Sequence, residues 1–187
     1  LYSVPTDAWA SPVKLFDGAS AREIVFDDFQ ISPDSARVLF QEYPEWPALP
    51  ELYSAPIDGS EPPVVIQQSE PEIYGFLSPY STADSLHVAY SSRRQGQGRL
   101  HCARVDGSST PLRISPSFEA LEPNPNFRLS QDGKWIVFHS RTAGGSDVFS
   151  AKANGSEPLR SLLFPRTSGL VPHISGLTPG DFKISPD

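Results

Sequence analysis

Four histidines, one cysteine and a set of clustered glutamates are the side chains through which this 187-residue chain could do chemistry. His87, His101 and His139 fall in apolar, strand-like runs and His173 in the last connection, too widely spaced for a local metal site. A fold could bring distant histidines to one channel, but His87 and His139 sit at different offsets in their strands, which argues against a shared ring. A calcium loop would gather several oxygen donors within about twelve residues, and no segment does so. No metal and no cofactor are therefore expected. Paired carboxylates could cleave a glycosidic bond, and Glu42, Glu45 and Glu51 crowd one loop, with Glu70 and Glu72 in the next link. On a chain of formal charge −7, exposed loop acids read as solvated surface instead. A nucleophilic serine would stand in a Gly-x-Ser-x-Gly elbow, and Gly18-Ala-Ser-Ala-Arg22 lacks the second glycine. No His-Glu-x-x-His, phosphate loop or Cys-x-x-Cys occurs. The expectation is a chain without catalytic residues. Cys102 has no second cysteine to pair with and stands where Ser3, Ser54 and Ser150 stand in related phrases, so a buried structural thiol is expected.

Those phrases belong to elements that repeat. Phe29-Gln-Ile-Ser-Pro-Asp34, Phe76-Leu-Ser-Pro79, Phe127-Arg-Leu-Ser-Gln-Asp132 and Phe182-Lys-Ile-Ser-Pro-Asp187 are variants of one strand-plus-turn unit. A second unit interleaves with them, anchored on Asp7, Asp58, Asp106 and Asn154, at intervals of 51, 48 and 48 residues. A repeat of this length built from strands is the signature of a β-propeller blade. The copy at 125–163 is the clearest. Phe127 and Leu129 alternate onto one face; Asp132-Gly133 makes a tight turn; Trp135 to Ser140 and Asp147 to Lys152 are strands; Asn154-Gly155 turns into a fourth. Twenty prolines and thirteen glycines agree with many short strands joined by many turns. Phe40, Tyr90 and Phe138 end second strands at matched positions, and Phe29, Phe76, Phe127 and Phe182 begin first strands. Both sets are expected to stack between blades, each buried ring contributing about 1.5–3 kcal/mol. Asp34, Asp132 and Asp187 are expected to bond amides of their own turns.

The pattern Phe-x-x-Ser-Pro-Asp-Gly, an apolar strand, then a strand ending in Asp-Gly-Ser resembles the propeller repeat of the TolB family. The match is best at 127–157, good at 29–61 where Ser35 replaces the turn glycine, and weakest at 76–108. There only Ser78-Pro79 and Val105-Asp-Gly-Ser108 hold, and the first hairpin reads as expanded. The repeat is similar also to the non-catalytic propeller of prolyl oligopeptidase-like enzymes. The resemblance to TolB implies a periplasmic or otherwise extracytoplasmic compartment.

The expected architecture is all-β: about four blades' worth of four-stranded antiparallel sheets, three complete and two partial, forming part of a larger ring. The segments are 1–28 (partial blade), 29–72, 73–123, 124–175 (blades) and 176–187 (start of the next). The register is cut mid-blade at both ends, and the chain starts at Leu1 and contains no methionine, so a processed chain or a segment of a longer protein is expected. The expected function is a non-catalytic protein-interaction scaffold. The alternative is a propeller accompanying a prolyl oligopeptidase-like serine hydrolase domain outside this chain; a propeller lyase or glycan-binding protein is the third class. Variable insertions in a constant frame are where repeat proteins bind. The loop between Phe40 and Leu52 carries Tyr43, Glu45, Trp46 and Leu49, an apolar and acidic set suited to a protein partner. Net negative charge and the lack of a basic run argue against nucleic acid. No apolar run nears the roughly 20 residues needed to cross a bilayer, so no membrane insertion is expected. Open blade edges invite self-association.

Overall fold

The computed structural model describes residues 1–6, 11–17, 29–42, 51–68, 73–94, 97–115, 127–142 and 145–162. They form only strands and turns. The first four-stranded sheet runs in the order β3 (Gln30–Ile31), β4 (Arg37–Glu42), β5 (Glu51–Pro56) and β6 (Val64–Gln67). The second follows as β7 (Ile73–Ser81), β8 (His87–Arg94), β9 (Gln97–Arg104) and β10 (Leu112–Arg113). The third is β11 (Phe127–Leu129), β12 (Trp135–Thr142), β13 (Gly145–Lys152) and β14 (Arg160–Ser161). A two-stranded sheet of β1 (Tyr2–Ser3) and β2 (Val13–Lys14) precedes them. Every pairing is antiparallel and between consecutive strands. These are the meander sheets of a β-propeller, three of them complete blades.

The first turn of each blade is built by two side chains. Ser32 Oγ donates to Asp34 Oδ1 at 2.6 Å and accepts from Arg37 N at 2.9 Å, while Ala36 N donates to Asp34 Oδ1 at 3.0 Å. Ser130 and Asp132 repeat this with Trp135 N and Lys134 N at 2.9 and 3.1 Å. Asp34 and Asp132 thus cap their own turns as their type and position dictate. Asp187 lies outside the described residues.

The second blade differs from its sequence-based alignment. Its turn is Thr82-Ala83-Asp84-Ser85, with Leu86 N donating to Asp84 Oδ1 at 2.9 Å, and is no longer than the others. The extra residues enter β7 itself, which pairs with β8 through register shifts between Ile73 and Phe76 and between Leu77 and Tyr80. Ser78-Pro79 is therefore strand, and the hairpin is not expanded. Bulges absorb an insertion without moving the turn because each adds residues to one strand only.

The fourth residue of this turn takes positive φ in each of the three described blades: Ser35 at 59°, Ser85 at 55° and Gly133 at 63°. A side chain there costs about 1 kcal/mol, and Ser85 has a reason to bear it, since its Oγ accepts from Asp34 N at 3.0 Å in the neighbouring blade. Ser35 is exposed, with no such bond among the described residues. Ser35→Gly should raise stability by up to about 1 kcal/mol in denaturant unfolding. A loss of stability would mean that Ser35 carries a contact of its own.

Three apolar clusters hold the sheets face to face. Leu39, Leu52 and Ile66 of the first blade meet Val88, Tyr90 and Ala103 of the second. Ala89 and Leu100 meet Phe127, Ile136, Phe138 and Phe149 of the third. Val38, Phe40 and Ala55 pack on Leu15 beside β2. Phe40, Tyr90 and Phe138 are at most 1% exposed, each facing the preceding sheet. The first-strand aromatics divide. Phe127 is 8% exposed and has its ring edge-on to Tyr80 of the preceding blade at 5.3 Å. Phe29, expected to stack likewise, is 54% exposed and Ile31 is 45% exposed. Ile31 stands opposite Val38 on the face toward β1–β2. Among the described residues that sheet has no strand from which a side chain could cover Phe29 as Tyr80 covers Phe127. The side chain of Phe76 and all of Phe182 lie outside the described residues.

Candidate functional site

The sequence singled out Tyr43, Glu45, Trp46 and Leu49, and all four lie outside the described residues. The root of their loop is described. Glu42 ends β4 directly opposite Glu51, which opens β5. Like charges at paired positions are unfavourable, and the neighbouring phenol offsets this: Tyr53 Oη donates to Glu51 Oε2. Burial, that hydrogen bond and the two carboxylates push the Tyr53 phenol well above its ordinary range, so it stays a donor. The Tyr53 ring stacks on Phe40 at 5.5 Å and tilts against Phe16 at 5.0 Å. The loop thus springs from an acid pair braced on an aromatic platform.

The reactive side chains are used inside the blades. Cys102 is 3% exposed, and burial followed by the Asp84 charge pushes its thiol up to about 12, so it stays protonated. It occupies the same buried position as Ser54 and Ser150. His87 Nδ1 lies 3.0 Å from Asp84 Oδ2. Partial burial opposes ionisation of Asp84, but hydrogen bonds from Thr82, Leu86 and His87 prevail and hold the carboxyl down at about 2. The side chain of His139 and all of His173 lie outside the described residues. Among the described residues no three His, Cys, Asp or Glu side chains are grouped to hold a metal ion.

One contact escaped the sequence. Ser92 Oγ lies 3.0 Å from His101 Nε2, the spacing of a nucleophile and its base. Strand register alone brings them together, because Tyr90 pairs with His101 and Ser92 with Arg99 across β8 and β9. Ser92 is only 2% exposed, and the imidazole stacks on the Tyr90 ring at 5.3 Å. Burial first, then the charges of Arg113 and Arg99, push His101 down to about 4. A neutral imidazole of such low basicity, beside a hydroxyl closed to solvent, is a packed polar pair.

On the turn side, a cleft of about 330 Å³ opens between the second and third blades. Thr82, Ala83 and Asp84 form one wall; Asp132, Gly133, Lys134, Lys152 and Asn154 form the other. Both carboxylates already accept bonds from their own turns. Lys152 Nζ stands 3.8 Å from the centre of the Trp135 ring, and 3.8 Å from Glu157 Oε1. Such a cleft offers fixed donors and acceptors but no unengaged general base among its described carboxylates.

No protein-family model matches the chain, and no curated protein matches it in sequence. Solved structures share the fold. A protein assigned as TolB from Agrobacterium tumefaciens is 20% identical, with a TM-score of 0.50 over 74% of this chain and 46% of its own. The AtxE2 isopeptidase is 12% identical, with a TM-score of 0.51 over 71% of this chain and 28% of its own. A puromycin hydrolase is 15% identical, with a TM-score of 0.51 over 82% of this chain and 27% of its own. The chain spans less than half the length of each. At these identities the likeness is one of fold, and it agrees with the blade sequence Phe-x-x-Ser-Pro-Asp and its turns.

Proposed function

We propose that this chain is a non-catalytic, TolB-like propeller that acts as a protein-interaction scaffold in the bacterial cell envelope. The observation that carries this is where the chemistry is spent. The turn aspartates, Cys102 and the Ser92–His101 pair all serve the frame, while the loop with Tyr43, Trp46 and Leu49 rises from a braced root at Glu42 and Glu51. A rigid frame flanking a segment that is rich in aromatic residues by sequence is suited to binding, because the frame itself needs no ordering when a partner arrives. The extracytoplasmic location rests on the resemblance to TolB.

Tyr43→Ala combined with Trp46→Ala should weaken capture of the partner from envelope extracts by about tenfold or more, the effect of losing aromatic anchors. The melting temperature should stay within the range of ordinary surface substitutions. Equal capture by the variant sinks the scaffold reading, and a collapse in melting temperature places the two rings in the core.

The likeness to the isopeptidase and the puromycin hydrolase favours a second reading, in which the propeller accompanies a serine hydrolase domain outside these residues. Labelling of the full gene product by a fluorophosphonate probe would select that reading.

A further inference from the structure

The chain has three asparagines, and Asn124 and Asn126 precede Pro125 and Phe127, while Asn154 precedes Gly155. An asparagine loses its side-chain nitrogen as ammonia when the amide nitrogen of the next residue attacks it. Glycine leaves that path open, because it lacks a side chain and turns freely. Asn154 stands exposed in the turn between β13 and β14. The matching turns of the first and second blades carry Asp58 and Asp106 there, and the three turns are bonded alike. Ser60 N donates to Asp58 Oδ1 at 3.0 Å, Ser108 N to Asp106 Oδ1 at 2.9 Å and Ser156 N to Asn154 Oδ1 at 3.0 Å. The amides of Gly59, Gly107 and Gly155 donate to Pro56 O, Arg104 O and Lys152 O at 3.1, 3.2 and 2.9 Å, with φ of 69°, 70° and 69°. Hydrogen bonds hold both carboxyls below their ordinary value, from Ser60 at Asp58 and from Arg104 and then Ser108 at Asp106. This turn therefore favours a charged acceptor. Arg104, two residues before Asp106, reaches it at 2.7 Å. Lys152 holds the same place before Asn154.

We propose that Asn154-Gly155 is a spontaneous deamidation site, closed while its turn is formed, whose aspartyl product restores the charged acceptor of the other two described blades. The step begins when the turn opens and Gly155 N loses its proton to base. That nitrogen attacks Asn154 Cγ, the bond from Cγ to the side-chain nitrogen breaks, and ammonia leaves with a proton taken from water. A second water opens the resulting imide ring at either carbonyl, leaving an aspartyl or an isoaspartyl link. In the closed turn the Gly155 N–H is engaged with Lys152 O, and the Asn154 side chain is held by Ser156 N. The aspartyl form can close on Ser156 N again, more strongly because the acceptor is charged. The isoaspartyl form lengthens the main chain beside Gly155, where even an added Cβ would collide with Leu112 of the second blade. Asn154 also lines the cleft between the second and third blades with Asp84, Asp132, Lys134 and Lys152, so its conversion makes a lining of balanced charge acidic.

The whole chain is incubated in mildly alkaline buffer, folded or unfolded in guanidinium, and its peptides are followed by mass. The peptide holding Asn154 should gain the mass of NH exchanged for O, and an isoaspartate methyltransferase should label part of it. The gain should be about tenfold slower, or more, in the folded chain, because the turn must first open. Asn154→Gln, whose longer side chain forms the imide poorly, should abolish the gain. Asn154→Asp, which supplies the clean product, should unfold at a urea concentration equal to or above that of the parent. No gain in the unfolded chain, or a gain that persists in Asn154→Gln, overturns the site. Equal rates in the folded and unfolded chain overturn the closure by the turn, and a lower urea midpoint for Asn154→Asp overturns the fit of the product.

Discussion

Gly133→Ala is expected to cost about 3 kcal/mol, the sum of about 1 kcal/mol for a side chain at positive φ and about 2 kcal/mol for forced backbone displacement. The glycine sits at φ 63° in the first turn of the third blade, pressed on the second. A Cβ there would land on the backbone of Ala83, overlapping its amide nitrogen and coming within 2.9 Å of its Cα. At two other junction turns a side chain can yield, since a Cβ at Gly155 would meet the Leu112 methyl and one at Gly59 the Val13 methyl, while one at Gly107 would only press on the Val65 carbonyl oxygen at 3.3 Å. At Gly133 the obstacle is main chain, so relief requires the blades to part, and the cluster of Ala89, Leu100, Phe127 and Phe138 loses contact with them. The matched Ser85 tolerates its Cβ because its hydroxyl reaches across to Asp34 N at 3.0 Å. Urea unfolding of the variant and of Ser85→Ala makes the comparison, the latter losing one hydrogen bond worth about 1 kcal/mol. If Gly133→Ala unfolds within about 0.5 kcal/mol of the parent, the second and third blades are not in backbone contact.

Much of the fold was legible because each blade repeats its local chemistry. Ser and Asp two apart in a turn, Asp-Gly or Asn-Gly at the third hairpin, and a small residue at 54, 102 and 150 each follow from needs that recur at every blade. What escaped was set by pairing between distant segments. Phe76 with Ser78-Pro79 imitates the turn phrase, and only the register of β7 against β8 reveals two bulges and a turn at Thr82–Ser85. Phe29 was expected to be buried because its type and place match Phe127. Its exposure depends on which strands the neighbouring sheet contains, and no local pattern encodes that. The candidate site divides in the same way. The loop at 43–50 stands out in composition, whereas Arg99, His101 and Arg113 look unremarkable in sequence and converge only through two strand pairings. The fold likeness to TolB and to two hydrolases has the same origin: the repeated residues specify blades, and blades alone do not specify a function.

Lowering the pH from about 6.5 to about 4 is expected to remove about 3 kcal/mol of stability through His101 alone. Burial first, with the Arg113 and Arg99 charges added, holds its folded pKa at about 4 against 6.5 for an ordinary histidine. Between those values the unfolded chain binds a proton that the folded chain refuses, so acidification favours unfolding. The stability is fully present above 6.5, declines as the pH falls, and levels off below about 4, where both states are protonated. The turn carboxylates act in a separate, lower window. Asp84, held down at about 2, contributes above its ordinary value of 3.8 and loses its contribution between the two. His101→Phe preserves the stacking on Tyr90 but cannot take up the proton, so the difference in unfolding free energy between parent and variant isolates the imidazole. That difference should narrow by about 3 kcal/mol from pH 6.5 to 4, read from urea curves. A difference that does not change with pH would show that His101 is solvated in the folded chain. The same residue therefore reports on how closely the second blade is packed against the first, because burial is the main cause of its lowered pKa.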